Sequence, residues 1–257
     1  MSSYYLGLVR GVAADRRRRH DLGHFASSPK SLIPFVALSA VGGIEEIMNS
    51  TDPKSIVENG YDNIARTYHK QRDKFKSHEL LAGFSSLLPS GGDVLDVGCG
   101  AGVPVAGFLV RAGFQVTGVD VSSSMLELAH VHVPEASFLK MDMRQLAFDA
   151  ACFDGLCAFY SLFHVPREEH RQVLIGFNRL LRPDGILLFC SGSGAWEGIG
   201  DFHGVRMFWS HPDCEVTRQL VLDAGFAVIM AEVQEHGGEE HYWVMAMKST
   251  QPVAGVP

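Results

Sequence analysis

Residues 94–102 read VLDVGCGAG, an apolar run that ends in an acidic residue and three alternating glycines. The pattern predicts a buried strand over residues 93–97 and a helix over 103–111. Between them lies a glycine turn where backbone can approach a ligand without Cβ interference, as in a nucleotide-cradling loop. Glycine spacing separates two ligand classes. A dinucleotide loop needs Gly-x-Gly-x-x-Gly so that a pyrophosphate rests on the helix N-terminus. Here the glycines are Gly98, Gly100 and Gly102, and Val103 stands where the third dinucleotide glycine belongs, with Pro104 after it. Asp96, two residues before the first glycine, adds a carboxylate, which suits a cationic ammonium or sulfonium better than a phosphate. A tight connection with no ligand is the competing reading of such a turn.

The pattern continues downstream. A second strand over residues 114–119 ends at Asp120, where an acid can accept hydrogen bonds from ribose hydroxyls, a feature shared with dehydrogenases. Residues 121–129, VSSSMLELA, start a helix with serine caps. A third strand over 136–140 runs into Met141, Asp142 and Met143, where a solvated Asp at a strand end is the plainer reading. A fourth strand over 152–159 precedes YSLFHVP at residues 160–166, with Pro166 opening a helix.

In this order and spacing the motifs resemble those of class I S-adenosylmethionine-dependent methyltransferases, over roughly residues 52–248. The subgroup is similar to small-molecule methyltransferases that include quinone-biosynthesis enzymes. A closer similarity, to a fungal O-methyltransferase acting on vicinal hydroxyls of aromatic compounds, rests on STDPKSIVENGYD at residues 50–62 and on residues 160–170. The resemblance implies an α/β, doubly wound, Rossmann-like seven-stranded mixed sheet in the order 3-2-1-4-5-7-6, its last strand antiparallel, with N-terminal lid helices. It implies S-adenosyl-L-methionine as cofactor, held by Asp96, Gly98, Gly100, Gly102, Asp120, Val121, Met125, Asp142, Met143, Tyr160 and Tyr68. In the family the residue matching Met125 packs on the adenine, Asp142 matches an acceptor for the adenine amino group, and the residue after it covers the ring.

Asp52-Pro53 reads as an N-cap followed by proline at the first helical position, opening a helix over 53–74 that contains Tyr61, Tyr68 and Arg72, with a second helix over 78–88. In related methyltransferases such a helix lies over the cofactor, and Tyr68, then Tyr61, are the expected lid contacts. Aromatic anchoring of the helix to the domain is the alternative. Upstream, residues 1–47 carry Arg16 to Arg19 and no sustained period, and read as a disordered extension or a targeting segment, with the methyltransferase domain over 48–257 and Met48 as a possible start. A targeting segment implies a mitochondrial location; without one the expectation is cytoplasmic.

Composition narrows the function classes. The net charge is −7, and residues 1–47 hold six Lys/Arg against four Asp/Glu, which leaves −9 on the rest. Nucleic-acid binding needs a basic surface, so a nucleic-acid partner is not expected. No run reaches the about 18 apolar residues of a membrane span. The five cysteines form no Cys-x-x-Cys pair, and the twelve histidines show no metal-binding helical spacing, so no metal is expected. Nothing in the pattern sets an oligomeric state.

A sulfonium already activates its methyl, so transfer needs mainly collinear alignment and exclusion of water. An oxygen acceptor must also lose a proton. His164, just beyond the fourth strand, is the expected base, with a cofactor contact or helix cap as its other reading. After a fifth strand over 186–191, residues 192–210 read as an insertion without strong period, followed by a helix over 212–224 and a strand pair over 226–234 and 241–248. Trp196, His203, Trp209 and His211, with Tyr61 and with Phe202 and Phe208 beside them, are the expected pocket for a small-molecule acceptor, against simple packing of the insertion. The expected function is methyl transfer to a hydroxyl of an aromatic or hydroxylated metabolite. Nitrogen or carbon acceptors, a NAD(P)-dependent oxidoreductase and a non-catalytic cofactor binder stay open. Val103 and the lack of a Tyr-x-x-x-Lys pair count against the oxidoreductase.

Overall fold

A computed structural model describes residues 51–70, 78–236 and 238–249. The expected extension over residues 1–47, Met48 and Arg72 lie outside the described residues. The structure contains helices α1 (Pro53–His69) and α2 (His78–Ser86), then β1 (Asp93–Val97), α3 (Val105–Arg111), β2 (Gln115–Asp120), α4 (Ser123–His132), β3 (Ser137–Lys140) and β4 (Phe153–Ala158). Two 3-10 turns, Leu162–His164 and Arg167–Glu169, lead into α5 (His170–Leu180) and β5 (Leu181–Gly192). There follow β6 (Trp196–Phe202), β7 (Val205–His211), α6 (Cys214–Asp223), β8 (Phe226–His236) and β9 (Glu239–Lys248).

Seven strands form one sheet in the order β3-β2-β1-β4-β5-β9-β8. β1 to β5 pair in parallel, and β9 runs antiparallel to both β5 and β8, as expected from the resemblance. Strand alternation divides the core into two layers. Val94, Cys157, Leu188, Trp243 and Met245 pack on one face with Leu81 and Phe84 of α2, Leu109 of α3 and Ala129 of α4. Leu95, Val97, Leu156, Phe189 and Val244 pack on the other with Leu174 and Phe177 of α5 and Val221 of α6. Phe177 and Trp243 are fully buried, and truncating such a side chain to Ala costs about 3–5 kcal/mol.

Helix starts follow local chemistry. Asp52 Oδ2 accepts the Ser55 amide at 3.0 Å ahead of Pro53, and Asp213 Oδ1 accepts the Val216 amide at 2.9 Å. Ser122 Oγ accepts the Met125 amide at 3.1 Å at the start of α4.

Three sequence expectations are corrected. The helix expected over 53–74 is Pro53–His69, and residues 71–77 are not among those described. The segment after Pro166 makes a 3-10 turn before α5 begins at His170. The insertion over 192–210 is a two-stranded antiparallel hairpin, β6–β7. Its strands were obscured by Gly198 and Gly200, whose missing side chains are replaced by indole rings: Trp196 lies 3.1 Å from a Cβ placed at Gly198, and Trp209 3.2 Å from one at Gly200.

Candidate functional site

Strand order reverses between β1 and β4, and in open α/β sheets the crevice at the carboxyl ends of such strands takes ligands. Here it is a cleft whose walls include Asp96 to Ala101 from the β1 turn, Val119 to Val121 from β2, Met141 to Arg144 after β3, and Phe159 to Ser161 with His164 after β4. α1 crosses it with Lys54, Val57, Tyr61, Tyr68 and His69.

Each glycine of the loop has its own reason. Gly98 has φ +71, and a Cβ there would stand 2.3 Å from Ser161 Cβ. Ser161 is fixed because its hydroxyl donates to the Val97 carbonyl at 2.8 Å. Gly100 has φ +51, and the nearest atom to a Cβ there is Met125 Sδ at 4.0 Å, so this position faces the open cleft. Gly102 does not line the cleft. Its φ is +75, and a Cβ would meet Phe138, Ala129 and Val133 at 3.1–3.3 Å, so close packing of the loop on α4 and β3 requires this glycine.

The Asp120 carboxylate accepts the Gly100 amide at 2.8 Å through Oδ2 and the Ser122 amide at 2.9 Å through Oδ1. The Val121 amide adds a third backbone hydrogen bond to this carboxylate, whose two oxygens together offer about four acceptor positions. Burial pushes this carboxyl up from its ordinary value, against the lowering pull of those amides. Asp142 differs. Arg144 grips it through Nε at 3.1 Å and Nη2 at 2.7 Å, and the Arg144 amide donates to Oδ1 at 3.0 Å. Burial raises its pKa, but Arg144's hydrogen bonds and charge outweigh that and leave it lowered. Asp96 is 1% exposed and accepts from the Cys157 thiol at 3.7 Å.

α1 presents three faces. Lys54, Glu58 and Asp62, spaced four apart and therefore in line, meet Asp142 (3.8 Å), Lys140 (2.7 Å) and the Ser122 hydroxyl with the Ser124 amide (2.6 and 2.9 Å). Val57, Tyr61 and Tyr68 line the cleft. Ile56, Val57 and Ile64 pack on Met207 and Phe208 of β7. None of Lys54, Glu58, Asp62, Lys140 or Arg144 was singled out from sequence. The four-residue spacing of Lys54, Glu58 and Asp62 on α1 was visible there, but the partners of these three lie 60 to 88 positions away.

His164 is buried among three elements. Its Nδ1 lies 2.6 Å from the Phe208 carbonyl and its Nε2 2.8 Å from the Tyr61 hydroxyl. Burial lowers its pKa to about 4, outweighing the Phe208 hydrogen bond, so the ring is neutral at pH 7. Tyr160 takes φ +55, its amide donates to Cys190 Sγ at 3.1 Å, and its ring meets His241 and Trp243 edge-on.

Among the residues expected to hold a cofactor, the cleft wall includes Asp96, Gly98, Gly100, Asp120, Val121, Met125, Asp142, Met143, Tyr160 and Tyr68. Of the expected acceptor set it includes Tyr61. Trp196, His203, Trp209 and His211 lie on the hairpin outside that wall. His203 sits at its tip with its ring 6.0 Å from Tyr68, Trp209 meets Phe202 and Trp196 edge-on and His164 at a tilt, and His211 fills the space beside Gly192.

Residues 94–185 match a family described as the methyltransferase domain. A ubiquinone biosynthesis O-methyltransferase of Actinobacillus pleuropneumoniae serotype 5b (strain L20) is 37% identical over 109 residues, 38% of this chain and 45% of that relative. An O-methyltransferase of Pyrenophora dematioidea is 28% identical over 163 residues, 58% of this chain and 60% of the relative. The chain thus spans about half the length of these curated relatives. Among solved structures, a 1,6-didemethyltoxoflavin-N1-methyltransferase of Burkholderia thailandensis with bound S-adenosylhomocysteine superposes with TM-score 0.60 at 20% identity, covering 87% of this chain and 94% of that one. At that identity the likeness shows the fold.

Proposed function

We propose, from the premise that this chain carries a class I methyltransferase domain, that it binds S-adenosylmethionine and methylates a hydroxyl oxygen of a small aromatic or hydroxylated acceptor. The observation that carries the reading is the Tyr61–His164 pair at the cleft wall, with the glycine cradle and Asp120 beside it.

The residues fit the cofactor. Gly100 leaves room where any side chain would intrude, and Asp120 lines the cleft as the acceptor for the ribose hydroxyls. Val121, Met125 and Met143 would hold the adenine by apolar contact, beside Asp142, whose carboxylate Arg144 grips. When bound, the cofactor supplies a methyl group already activated by positive sulfur. The chain's own residues orient the acceptor, exclude water under α1 and take up the acceptor's proton.

His164 Nδ1 must donate, because the Phe208 carbonyl only accepts. A neutral ring then has its lone pair on Nε2, which accepts from the Tyr61 hydroxyl. The Tyr61 oxygen keeps lone pairs with which to accept an acceptor's O–H, so a proton can pass to Tyr61 as the Tyr61 proton passes to His164. A weakly basic imidazole suffices, because an oxygen that is gaining a methyl group becomes a far stronger acid than the free hydroxyl. The relatives' names as O-methyltransferases agree with an oxygen acceptor. The domain is proposed to occupy residues 48–257, with 1–47 as an extension or a targeting segment.

Calorimetric titration with S-adenosylmethionine, S-adenosylhomocysteine and NADH tests the cofactor. Binding of the first two alone is expected, and binding of NADH alone overturns the reading. Turnover on hydroxylated aromatics should then fall about tenfold or more in Tyr61→Phe, with S-adenosylhomocysteine affinity little changed. Turnover on amines but not on hydroxyls would overturn the oxygen acceptor.

A further inference from the structure

The hairpin that looked like a featureless insertion reaches the proton-handling residues through its backbone. His164 lies on the turn after β4, Tyr61 on α1 and the Phe208 carbonyl on β7, and all three meet at one imidazole. We propose that the β6–β7 hairpin sets the tautomer of His164, and that Gly60 is the positioning residue that lets α1 and β7 close on the ring together. The proposal rests on the reading above for its catalytic consequence, but not for its structural content.

The geometry leaves α1 and β7 no slack at this point. A Cβ at Gly60 would stand 2.8 Å from Met207 Cε and 3.0 Å from the Arg206 carbonyl oxygen. The first neighbour is the mobile end of a side chain, but the second is backbone. Glycine in mid-helix weakens the helix relative to alanine, and close packing is the reason for it here. On either side of Gly60, Ile56 and Ile64 bury against Met207 and Phe208, the latter the residue whose carbonyl meets His164. The hairpin is tied independently to the turn that follows His164. Ser210 Oγ accepts the Arg167 amide at 2.8 Å and donates to Glu197 at 2.6 Å. The groups facing His164 are the Tyr61 hydroxyl, the Phe208 carbonyl, and the rings of Trp209 and Phe163.

With Phe208 in place, Nδ1 holds the proton and Nε2 faces Tyr61. A side chain at Gly60 that pushes β7 back takes from the imidazole the carbonyl that selects this tautomer, and moves the strand against which α1 holds the hydroxyl that reads it. Proton acceptance is therefore coupled to closure of α1 and the hairpin as one unit, whereas Asp120 and the glycine cradle stand on other elements.

Two-bond proton–nitrogen spectra of the 15N-labelled full chain, with His164→Asn to assign the ring, test this directly. In the wild type Nδ1 is protonated and the pattern holds from pH 8 down to about pH 5.5. Gly60→Ala should convert His164 to a mixed or Nε2-protonated ring that titrates near the ordinary histidine range. An Nδ1-protonated ring unchanged in Gly60→Ala, or an Nε2-protonated ring in the wild type, overturns the proposal. If Gly60→Ala does not fold, Tyr61→Phe decides. The carbonyl alone should keep Nδ1 protonated, and loss of that form shows that Phe208 does not set it. For activity, Gly60→Ala should lower kcat about tenfold while S-adenosylhomocysteine affinity changes less than about threefold. A wild-type chain that binds no S-adenosylhomocysteine refutes the methyltransferase reading and leaves the tautomer result standing.

Discussion

Asp62 Oδ1 on α1 lies 2.6 Å from the Ser122 hydroxyl, which in turn accepts the Met125 amide at the start of α4. The same carboxylate oxygen accepts the Ser124 amide at 2.9 Å. One side chain of the covering helix thus completes the N-terminus of the helix that carries Met125 into the cleft. Losing the charge-assisted bonds in Asp62→Ala should cost about 1.5–3 kcal/mol of stability. Denaturant unfolding measures it, and a change below about 0.5 kcal/mol would show that water replaces Asp62 without loss.

Asp120 should matter more for ligand than for fold. Asp120→Ala removes the proposed acceptor for two hydroxyls, and affinity for S-adenosylhomocysteine should fall at least about tenfold, roughly 1.4 kcal/mol. Unchanged affinity by calorimetry would remove Asp120 from the binding site.

Gly98 tests the cradle. Gly98→Ala forces a Cβ to 2.3 Å from Ser161 Cβ at a left-handed φ of +71. Overpacking and backbone strain together should cost about 2–4 kcal/mol. Adding Ser161→Gly removes the clash but not the strain, so the double variant should recover part of the loss, read as an upward shift in Tm. No recovery would place the cost wholly in the backbone.

Acid should weaken the fold through two buried histidines. Burial lowers both His164 and His170 to about 4 from 6.5. The unfolded chain therefore binds protons that the folded chain refuses as pH falls from about 6.5 to 4, and stability is lost across that window and is complete above it. By pH 5 the loss is about 2 kcal/mol per histidine. Urea unfolding at pH 7 and pH 5 measures the total, and His164→Gln should remove about half of the difference. An equal difference in that variant would show that His164 is not buried as a neutral ring.

Features written in contiguous residues are legible in the sequence. The strand–glycine–helix passage at 93–111, the caps at Asp52 and Ser122, and the alternation of Val94 with Leu95 depend on backbone conformation and side-chain period within a few positions. Spacing alone distinguished the glycine loop from a dinucleotide loop, and the sheet order followed from resemblance and agrees with the structure.

What the tertiary structure decided is who meets whom across long separations. Sequence placed His164 near the cleft, but its Tyr61 partner stands 103 positions earlier and its Phe208 partner 44 later. Gly102 looked equal to Gly98 and Gly100 until the packing of Phe138 and Val133 showed that it faces the core. The hairpin stayed hidden because Gly198 and Gly200 weaken strand preference locally, and it is packing of indoles over them and of α1 against Met207 that stabilises those strands. Local chemistry sets helices, strands and turns; the partners of a buried polar group are set by the fold, because burial leaves it no water to turn to.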